Sequence, residues 1–254
     1  MTVPSPVDRH IKPFVLETTT TRALQFSASE IQSRMNLREP QTLALEYTRT
    51  MMGFLAWHAA PAQLVMIGLG GGSIAKFCHA ELPHSRLDVV EINPHVIALR
   101  DRFCLPPDDA RLRVVAGDGA QFVHDAPDST DVLLVDGFDV HGLPIELSSQ
   151  RFYDDCAAAL RPGGLLVANL HAGHADFVAQ VERIRRSLGP ALLTVLDADR
   201  SNCVVFARRG DDLSKLRRGA LRRPAGFSAL AWRAVLPVIL RVAAAADGLQ
   251  TGRS

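Results

Sequence analysis

A glycine-rich segment that follows an apolar run is the part of this sequence best suited to bind a ligand. The run starts at Leu64 and leads into Gly68, Gly70, Gly71 and Gly72. Glycine lets a backbone turn sharply and approach a ligand without interference from a Cβ atom. Glu91 ends the next apolar run, and a carboxylate at that place can accept hydrogen bonds from both ribose hydroxyls. We therefore expect Gly68, Gly70, Gly72 and Glu91 to bind a nucleoside.

The spacing of the glycines distinguishes between nucleoside ligands. The pattern is Gly-x-Gly-x-Gly, and Ser73 stands where a Gly-x-Gly-x-x-Gly dinucleotide motif has its third glycine. This difference favours S-adenosylmethionine or a relative over NAD. The alternative is a glycine-rich turn that only packs a strand against a helix, because such motifs are weak evidence on their own.

Acidic residues follow two further apolar runs, where strands are expected to end. Asp118 and Gly119 follow one run, and Asp136 and Asp139 follow the next. In an open α/β sheet the ligand crevice lies outside the carboxyl ends of the strands, so these residues and the glycine loop should converge on one pocket. Asp also suits turns and helix N-caps, which is the alternative for Asp118 and Asp139.

The elements that must position these residues alternate between apolar runs and amphipathic stretches of helix length. Strands are predicted over 64–69, 87–92, 112–116, 132–136 and 165–170, and helices near 74–82, 94–103, 150–160 and 175–188. Two β-rich runs at 191–196 and 202–208 predict a closing hairpin. A hairpin added to five parallel strands is typical of the α/β, Rossmann-like fold of class I S-adenosylmethionine-dependent methyltransferases.

The predicted organisation has three parts. Residues 1–57 hold short β-prone runs at 14–17 and 23–26 and a helix candidate at 40–57, which suggests a β-rich cap with a connecting helix. Residues 58–210 form the nucleoside-binding, methyltransferase-like domain. Residues 211–254 form a basic helical tail.

Composition excludes several protein classes. The 254 residues are 47% hydrophobic and 22% charged with a net charge of +1, which suits one globular domain with a modest appendage. No signal core or run of eighteen uncharged apolar residues occurs, so we expect a cytoplasmic protein without a transmembrane segment. The four cysteines have neither Cys-x-x-Cys nor paired histidine spacing, so buried thiols are expected, without a disulfide framework or a metal site.

The tail carries ten Lys or Arg against three Asp from Arg208 onwards. Its basic cluster consists of Lys215, Arg217, Arg218, Arg222 and Arg223. A solvated basic face is favoured over a nucleic-acid arm, because no aromatic residues alternate with these charges to stack on bases. The apolar stretch 227–246 contains Arg233 and Arg241, which oppose a membrane span. A helix on a membrane surface is one alternative. A kinked helix that docks on the body, or on a second subunit in a homodimer, is favoured.

A series of motifs occurs in a characteristic order along the chain. The series is Tyr47, the glycine loop, Glu91-Ile92, Gly117-Asp118-Gly119, Asp136-x-x-Asp139, Pro144, Phe152-Tyr153 and Leu160-x-Pro-Gly-Gly. It resembles the polyamine aminopropyltransferases, the spermidine synthase family, over about residues 23–208. Enzymes of this family transfer an aminopropyl group from decarboxylated S-adenosylmethionine to a diamine in polyamine biosynthesis.

The resemblance implies a role for each candidate residue. Glu91 would hold the ribose, Asp118 and Gly119 the adenine, and Asp136 would be the catalytic base. Tyr47 and Asp139 would line the pocket of a small-molecule amine. An alkylamine with a pKa of about 10.4 is cationic at neutral pH, so a carboxylate must take its proton before the nitrogen can attack. The leaving group is a neutral thioether, so neither an acid nor a metal is required.

Two positions keep other functions open. Gly71 stands where the family loop usually has an aspartate for the donor amine. This change favours a methyltransferase that uses ordinary S-adenosylmethionine, whose carboxylate Arg49 could pair with. A non-catalytic nucleoside-binding protein is the third hypothesis.

Overall fold

The structure, a computed structural model, describes residues 10–27, 31–138, 142–210, 213 and 222–251. The strands within these ranges are β1 (Phe14–Glu17), β2 (Thr21–Gln25), β3 (Ile31–Asn36), β4 (Gln63–Ile67), β5 (Arg86–Glu91), β6 (Leu112–Ala116), β7 (Thr130–Val135), β8 (Leu160–His171), β9 (Leu192–Leu196) and β10 (Asn202–Arg208). The α-helices are α1 (Glu46–Met51), α2 (Ser73–Glu81), α3 (Pro94–Ile97), α4 (Gly119–His124), α5 (Gln150–Ala159), α6 (Phe177–Leu188) and α7 (Ala229–Thr251). Short 3₁₀ helices span Met52–Ala56 and Ile145–Leu147.

The main sheet has seven strands in the order β6-β5-β4-β7-β8-β10-β9. Strands β4 to β8 are parallel, and β10 is antiparallel to both of its neighbours, β8 and β9. From β4 the chain builds the sheet outwards to one side and then returns to add β7 on the other side. A crevice for a ligand opens at such a switch point, outside the carboxyl ends of β4 and β7. The predicted α/β fold class with its closing hairpin is confirmed.

Central strands have helices on both faces, which explains their continuous apolar sequences. Along β4, Leu64 and Met66 belong to one buried cluster, whereas Val65 and Ile67 belong to the other. The sheet is therefore packed between two hydrophobic layers, which hold its strands in place.

The N-terminal strands form a separate antiparallel sheet, β1-β2-β3, beside the opening of the crevice. Lys76 of α2 helps to hold this sheet against the main domain. Its buried ammonium group donates to the Phe103 carbonyl oxygen at 2.6 Å and contacts the Met35 sulfur of β3 at 3.1 Å. Burial lowers the pKa of Lys76 to about 8.

Two predicted helices differ from the structure, and two elements were not predicted. The helix expected over 94–103 ends as α3 at Ile97 and continues as turns, with Cys104 at a positive φ of 55°. The helix expected over 40–57 is α1 followed by a 3₁₀ helix. Strand β3 and helix α4 were not predicted: β3 buries only Ser33 and Met35, so its sequence lacks an apolar signal, and α4 has only six residues.

Helix α7 packs against α1 and the 3₁₀ helix Met52–Ala56, so the expected docking of a tail helix on the body is confirmed. Arg241 attaches it to α1 by donating to Thr50 Oγ1 at 3.1 Å and to Glu46 Oε1 at 3.3 Å. By length and composition alone, Ala229–Gly248 could cross a membrane, and 33% of its most apolar stretch is buried inside the protein. The basic cluster residues Lys215, Arg217 and Arg218 lie outside the described residues.

Candidate active site

One large cavity of about 930 Å³ lies at the carboxyl ends of the parallel strands. The sequence-predicted site residues that line it are Tyr47, Gly68, Gly70, Glu91, Asp118, Gly119 and Asp136. Gly72 is buried behind the loop, and Asp139 lies outside the described residues. The sheet therefore brings together residues that are as far as 89 positions apart in sequence, between Tyr47 and Asp136.

The glycine loop joins β4 to α2 through backbone conformations that side chains rarely adopt. Gly68, Gly70 and Gly72 have φ values of 93°, 52° and 67°. A Cβ atom on Gly68 would lie 2.2 Å from the Asp136 carbonyl oxygen, so only glycine fits between the ends of β4 and β7. A Cβ atom on Gly72 would lie 2.9 Å from Leu105 Cδ1. Gly72 thus permits the turn into α2, while Gly68 and Gly70 face the cavity.

Glu91 holds the glycine loop in place from the end of β5. Its Oε2 accepts a hydrogen bond from the Leu69 N–H at 2.9 Å, and its Oε1 accepts one from the Asn93 N–H at 2.8 Å. Burial raises the pKa of Glu91, and the backbone N–H groups oppose this rise. The N–H groups of Gly70 and Ile92 also stabilise the carboxylate, so Glu91 organises the loop where it lines the cavity.

Asp118 and Gly119 begin α4 at the end of β6. Asp118 is the N-cap, and its Oδ1 accepts from the Ala120 N–H at 2.7 Å and the Gln121 N–H at 3.4 Å. A Cβ atom on Gly119 would lie 2.4 Å from Ile67 Cγ2, so glycine lets the helix start close to β4. The helix-cap alternative for Asp118 is therefore correct, and this residue also lines the cavity.

Asp136 follows β7 in the middle of the cavity. Its Oδ1 accepts a hydrogen bond from Asn169 Nδ2 at 2.9 Å, and the Tyr47 hydroxyl also stabilises the carboxylate. Burial is the larger influence and raises the pKa of Asp136 to about 6. Burial and the nearby Asp136 raise the pKa of Tyr47 well above its ordinary value, so this residue stays a neutral phenol.

Asn169 is a site residue that we did not predict from the sequence. It lies near the end of β8, it is 2% exposed, and its Oδ1 has no hydrogen-bond partner in the described part of the protein. Its position one strand away from Asp136, inside the apolar run 165–170, is the only sequence signal that could have identified it.

Comparison with known proteins identifies the family. The sequence model described as "Spermine/spermidine synthase domain" matches residues 45–185. The chain belongs to this family. It is 37% identical over 213 residues to the polyamine aminopropyltransferase of Chromobacterium violaceum, a match that covers 80% of this chain and 82% of the relative. The resemblance inferred from the motif series is thus confirmed.

Solved structures agree on the fold. A probable spermidine synthase from Corynebacterium glutamicum superposes with a TM-score of 0.65 at 19% identity, covering 77% of this chain and 76% of that one. Human methyltransferase-like protein 13 in complex with SAH superposes with a TM-score of 0.61 at 20% identity, covering 79% and 93%. The methyltransferase-like fold is therefore shared by this member of the spermidine synthase family.

Arg49, which could have paired with a donor carboxylate, points elsewhere in this family member. Its Nη1 donates to the carbonyl oxygens of Leu43 at 2.6 Å and Ala44 at 3.2 Å. Arg49 is not among the residues that line the cavity. The hypothesis that it meets the ligand was wrong because the segment before α1 takes up its hydrogen bonds.

The side chains around Gly71 leave no room for the aspartate that is expected at this position from the family resemblance. A Cβ atom there would lie 2.5 Å from Ser33 Oγ and 2.9 Å from Phe103 Cδ1. Ser33 and Phe103 are 6% and 1% exposed. The N-terminal sheet thus occupies the space that a larger side chain would need, and it leaves a hydroxyl group beside the loop.

The opposite end of the cavity is built from β8 and the β9–β10 turn. The rings of Phe138 and His171 stack with centroids 4.5 Å apart at 21°. His174, Arg200, Ser201 and Asn202 complete this end, and Asn202 is paired with His171 in the sheet. None of these residues was predicted from the sequence, because Phe138 is a variable position of the Asp136-x-x-Asp139 motif and the others belong to no motif.

Proposed function

We propose that the protein is a transferase that moves an aminopropyl group from decarboxylated S-adenosylmethionine to a small-molecule amine, in polyamine biosynthesis. Membership of the spermidine synthase family supports this function. The observation that carries it is the partly buried Asp136, held between Asn169 and Tyr47 at the carboxyl ends of the strands.

The nucleoside would lie along the ends of β4, β5 and β6. Glu91 accepts the ribose hydroxyls, and Asp118 and Gly119 contact the adenine. Gly68 and Gly70 let the backbone come close to the donor. Since a co-substrate that carries a sulfonium group is already activated, positioning it in line with the amine supplies much of the acceleration.

Asp136 would act as the general base. The amine nitrogen loses its proton to the Asp136 carboxylate and attacks the carbon next to sulfur. A carbon–nitrogen bond forms while the carbon–sulfur bond breaks, and its electron pair stays on the sulfur of a neutral thioether. With a pKa of about 6, the carboxylate is roughly nine-tenths ionised at pH 7, so the base is ready to accept the proton.

The amine pocket would lie beside Asp136 and Tyr47; the resemblance also assigns Asp139 to it, and that residue lies outside the described part of the chain. The phenol of Tyr47 limits the space beside the base and donates a hydrogen bond to it. Because the thioether leaves as a neutral molecule, the proposed reaction requires neither a general acid nor a metal ion. The protein would act in the cytoplasm, without nucleic acid, and a homodimer stays a prediction from the sequence.

The test is formation of the thioether nucleoside from decarboxylated S-adenosylmethionine, measured with and without a panel of diamines. We expect formation that depends on the amine and a loss of at least about a hundredfold in Asp136→Asn, on the scale of general-base catalysis. Asp101→Asn, a change of an exposed aspartate outside the cavity, is the matched control. A wild type that forms no product with any amine would refute the proposal.

Gly71 favours a second candidate, a methyltransferase that uses ordinary S-adenosylmethionine. The neutral Ser33 hydroxyl beside the loop gives no ionic reason to prefer a decarboxylated donor. Methyl transfer to an amine by the wild type, in the absence of aminopropyl transfer, would select this candidate.

A further inference from the structure

The order of the strands separates the charges that line the cavity. The described acidic residues that line it are Glu91, Asp118, Asp136 and Glu146. Asp118 and Glu91 follow β6 and β5 on the nucleoside side, and the 3₁₀ helix that carries Glu146 contacts both α4 and α5. Asp136 lies in the middle. Beyond it, the described lining residues of β8 and the β9–β10 turn are cationic or neutral.

Arg200 is the fixed cation at that end. It lines the cavity, and its guanidinium group forms no hydrogen bond or ion pair in the part of the chain that the structure describes. Its φ of 60° lies in the left-handed region, which is uncommon for a residue with a side chain. Its backbone N–H donates to the Asp197 carbonyl oxygen at 3.0 Å, so the tight turn holds Arg200 in this conformation.

The two aspartates of the turn do not neutralise Arg200. Asp199 Oδ1 accepts hydrogen bonds from the Ser201 N–H at 3.0 Å and the Ser201 hydroxyl at 2.7 Å. Asp197 is 6% exposed and is not among the lining residues. The two carboxylates therefore lie within the turn, and Arg200 is exposed where it lines the cavity.

We infer that the amine acceptor carries a carboxylate at its far end, which Arg200 binds while the amino group meets Asp136. The inference rests on the proposed function. A guanidinium group binds a carboxylate through paired hydrogen bonds and repels a second ammonium group. Asn202 and Ser201 supply neutral polar groups beside it.

The span fits an amino acid with a terminal amine. Asp136 follows β7, and Asn202 begins β10, two strands away in the sheet. Neighbouring strands are about 4.8 Å apart, so the backbones of β7 and β10 lie roughly 10 Å apart across the sheet. An extended ornithine or lysine, together with the reach of the Arg200 side chain, covers this distance.

Ornithine and putrescine make a matched pair of probes, because they differ by one carboxylate. With decarboxylated S-adenosylmethionine as the donor, we expect wild-type kcat/KM to be higher for ornithine. Arg200→Gln should lose roughly tenfold or more on ornithine, the scale of a hydrogen bond to a charged group, and should not lose activity on putrescine. Arg200→Lys should recover part of the loss, and Arg233→Gln, on the exposed side of α7, should behave as wild type. A wild type that prefers putrescine, with both activities unchanged in Arg200→Gln, would overturn the inference.

A binding measurement separates this inference from the proposed function. The melting temperature of the protein saturated with methylthioadenosine is measured with ornithine and with putrescine, in wild type and in Arg200→Gln. Stabilisation by ornithine that disappears in Arg200→Gln supports the carboxylate site even if neither amine is turned over, a result that would reject the transfer reaction alone. Turnover of putrescine without stabilisation by ornithine rejects the carboxylate site alone.

Discussion

The Asn169 amide should set the pH at which the enzyme becomes active. Asp136 can act as a base only when it is ionised, so kcat/KM should rise with pH through its pKa of about 6. Asn169 Nδ2 donates to the ionised carboxylate at 2.9 Å and lowers its pKa. Asn169→Leu removes this donor, and the rise in activity should therefore move to higher pH.

The size of this effect follows from the free energy of one hydrogen bond. A hydrogen bond to a charged group contributes about 1.5 kcal/mol at the lower end of its range, and about 1.4 kcal/mol corresponds to one pKa unit. The midpoint should therefore move from about pH 6 to about pH 7. At pH 6, kcat/KM relative to its plateau should fall roughly fivefold, while the plateau is reached near pH 8.5 in both proteins.

The assay is the pH profile of kcat/KM from pH 5 to pH 9, normalised to each plateau so that a loss of substrate binding does not affect the midpoint. Asn169→Asp places a second carboxylate beside the first and should move the midpoint further upwards. Tyr47→Phe removes the other donor and should shift it in the same direction. If the midpoint of the Asn169→Leu profile stays at the wild-type pH, Asn169 does not have this role and the rise in activity does not report the ionisation of Asp136.

Three further changes test other parts of the site. Asp136→Asn should raise the melting temperature of the free protein above about pH 6. The pKa of Asp136 is higher in the folded than in the unfolded protein, so ionisation of this carboxyl group lowers the stability of the wild type. The difference in melting temperature should therefore vanish below about pH 4. Glu91→Gln should weaken methylthioadenosine binding by about 1.5 to 3 kcal/mol, and unchanged affinity in calorimetry would contradict its ribose role. Gly71 leaves no acid beside the donor tail, so the affinities of decarboxylated and ordinary S-adenosylmethionine should differ little; strong preference for the decarboxylated donor would show that Asp136 or another acid replaces it.

The central part of the fold could be predicted because buried strands appear in the sequence as continuous apolar runs. Strands β4 and β7 are enclosed on both faces, so their residues are apolar, and the segments that follow them contain the glycines and acids of the site. Gly68 and Asp136 could be placed from this pattern because parallel strands end at one edge of the sheet.

The other features of the site depend on tertiary contacts, which the pattern of apolar and polar residues does not predict. Strand β3 buries only Ser33 and Met35, so its sequence has too few apolar residues to predict a strand that places Ser33 beside Gly71. The direction of Arg49 depends on two carbonyl groups just before α1. Arg200 reaches the cavity only because β10 inserts antiparallel between β8 and β9, an order that local sequence does not specify.

Gly68 lies so close to the Asp136 carbonyl oxygen that the nucleoside-binding loop and the segment with the proposed base are in direct contact. The loop that receives the nucleoside cannot move there without moving the segment that carries the base, so donor recognition and proton removal form one rigid unit. The β9–β10 turn is held by α1 instead, through a hydrogen bond from the Ala198 N–H to Glu46 Oε2 at 3.2 Å. New acceptors in this family could therefore arise by changes around Arg200, while the reaction itself stays the same.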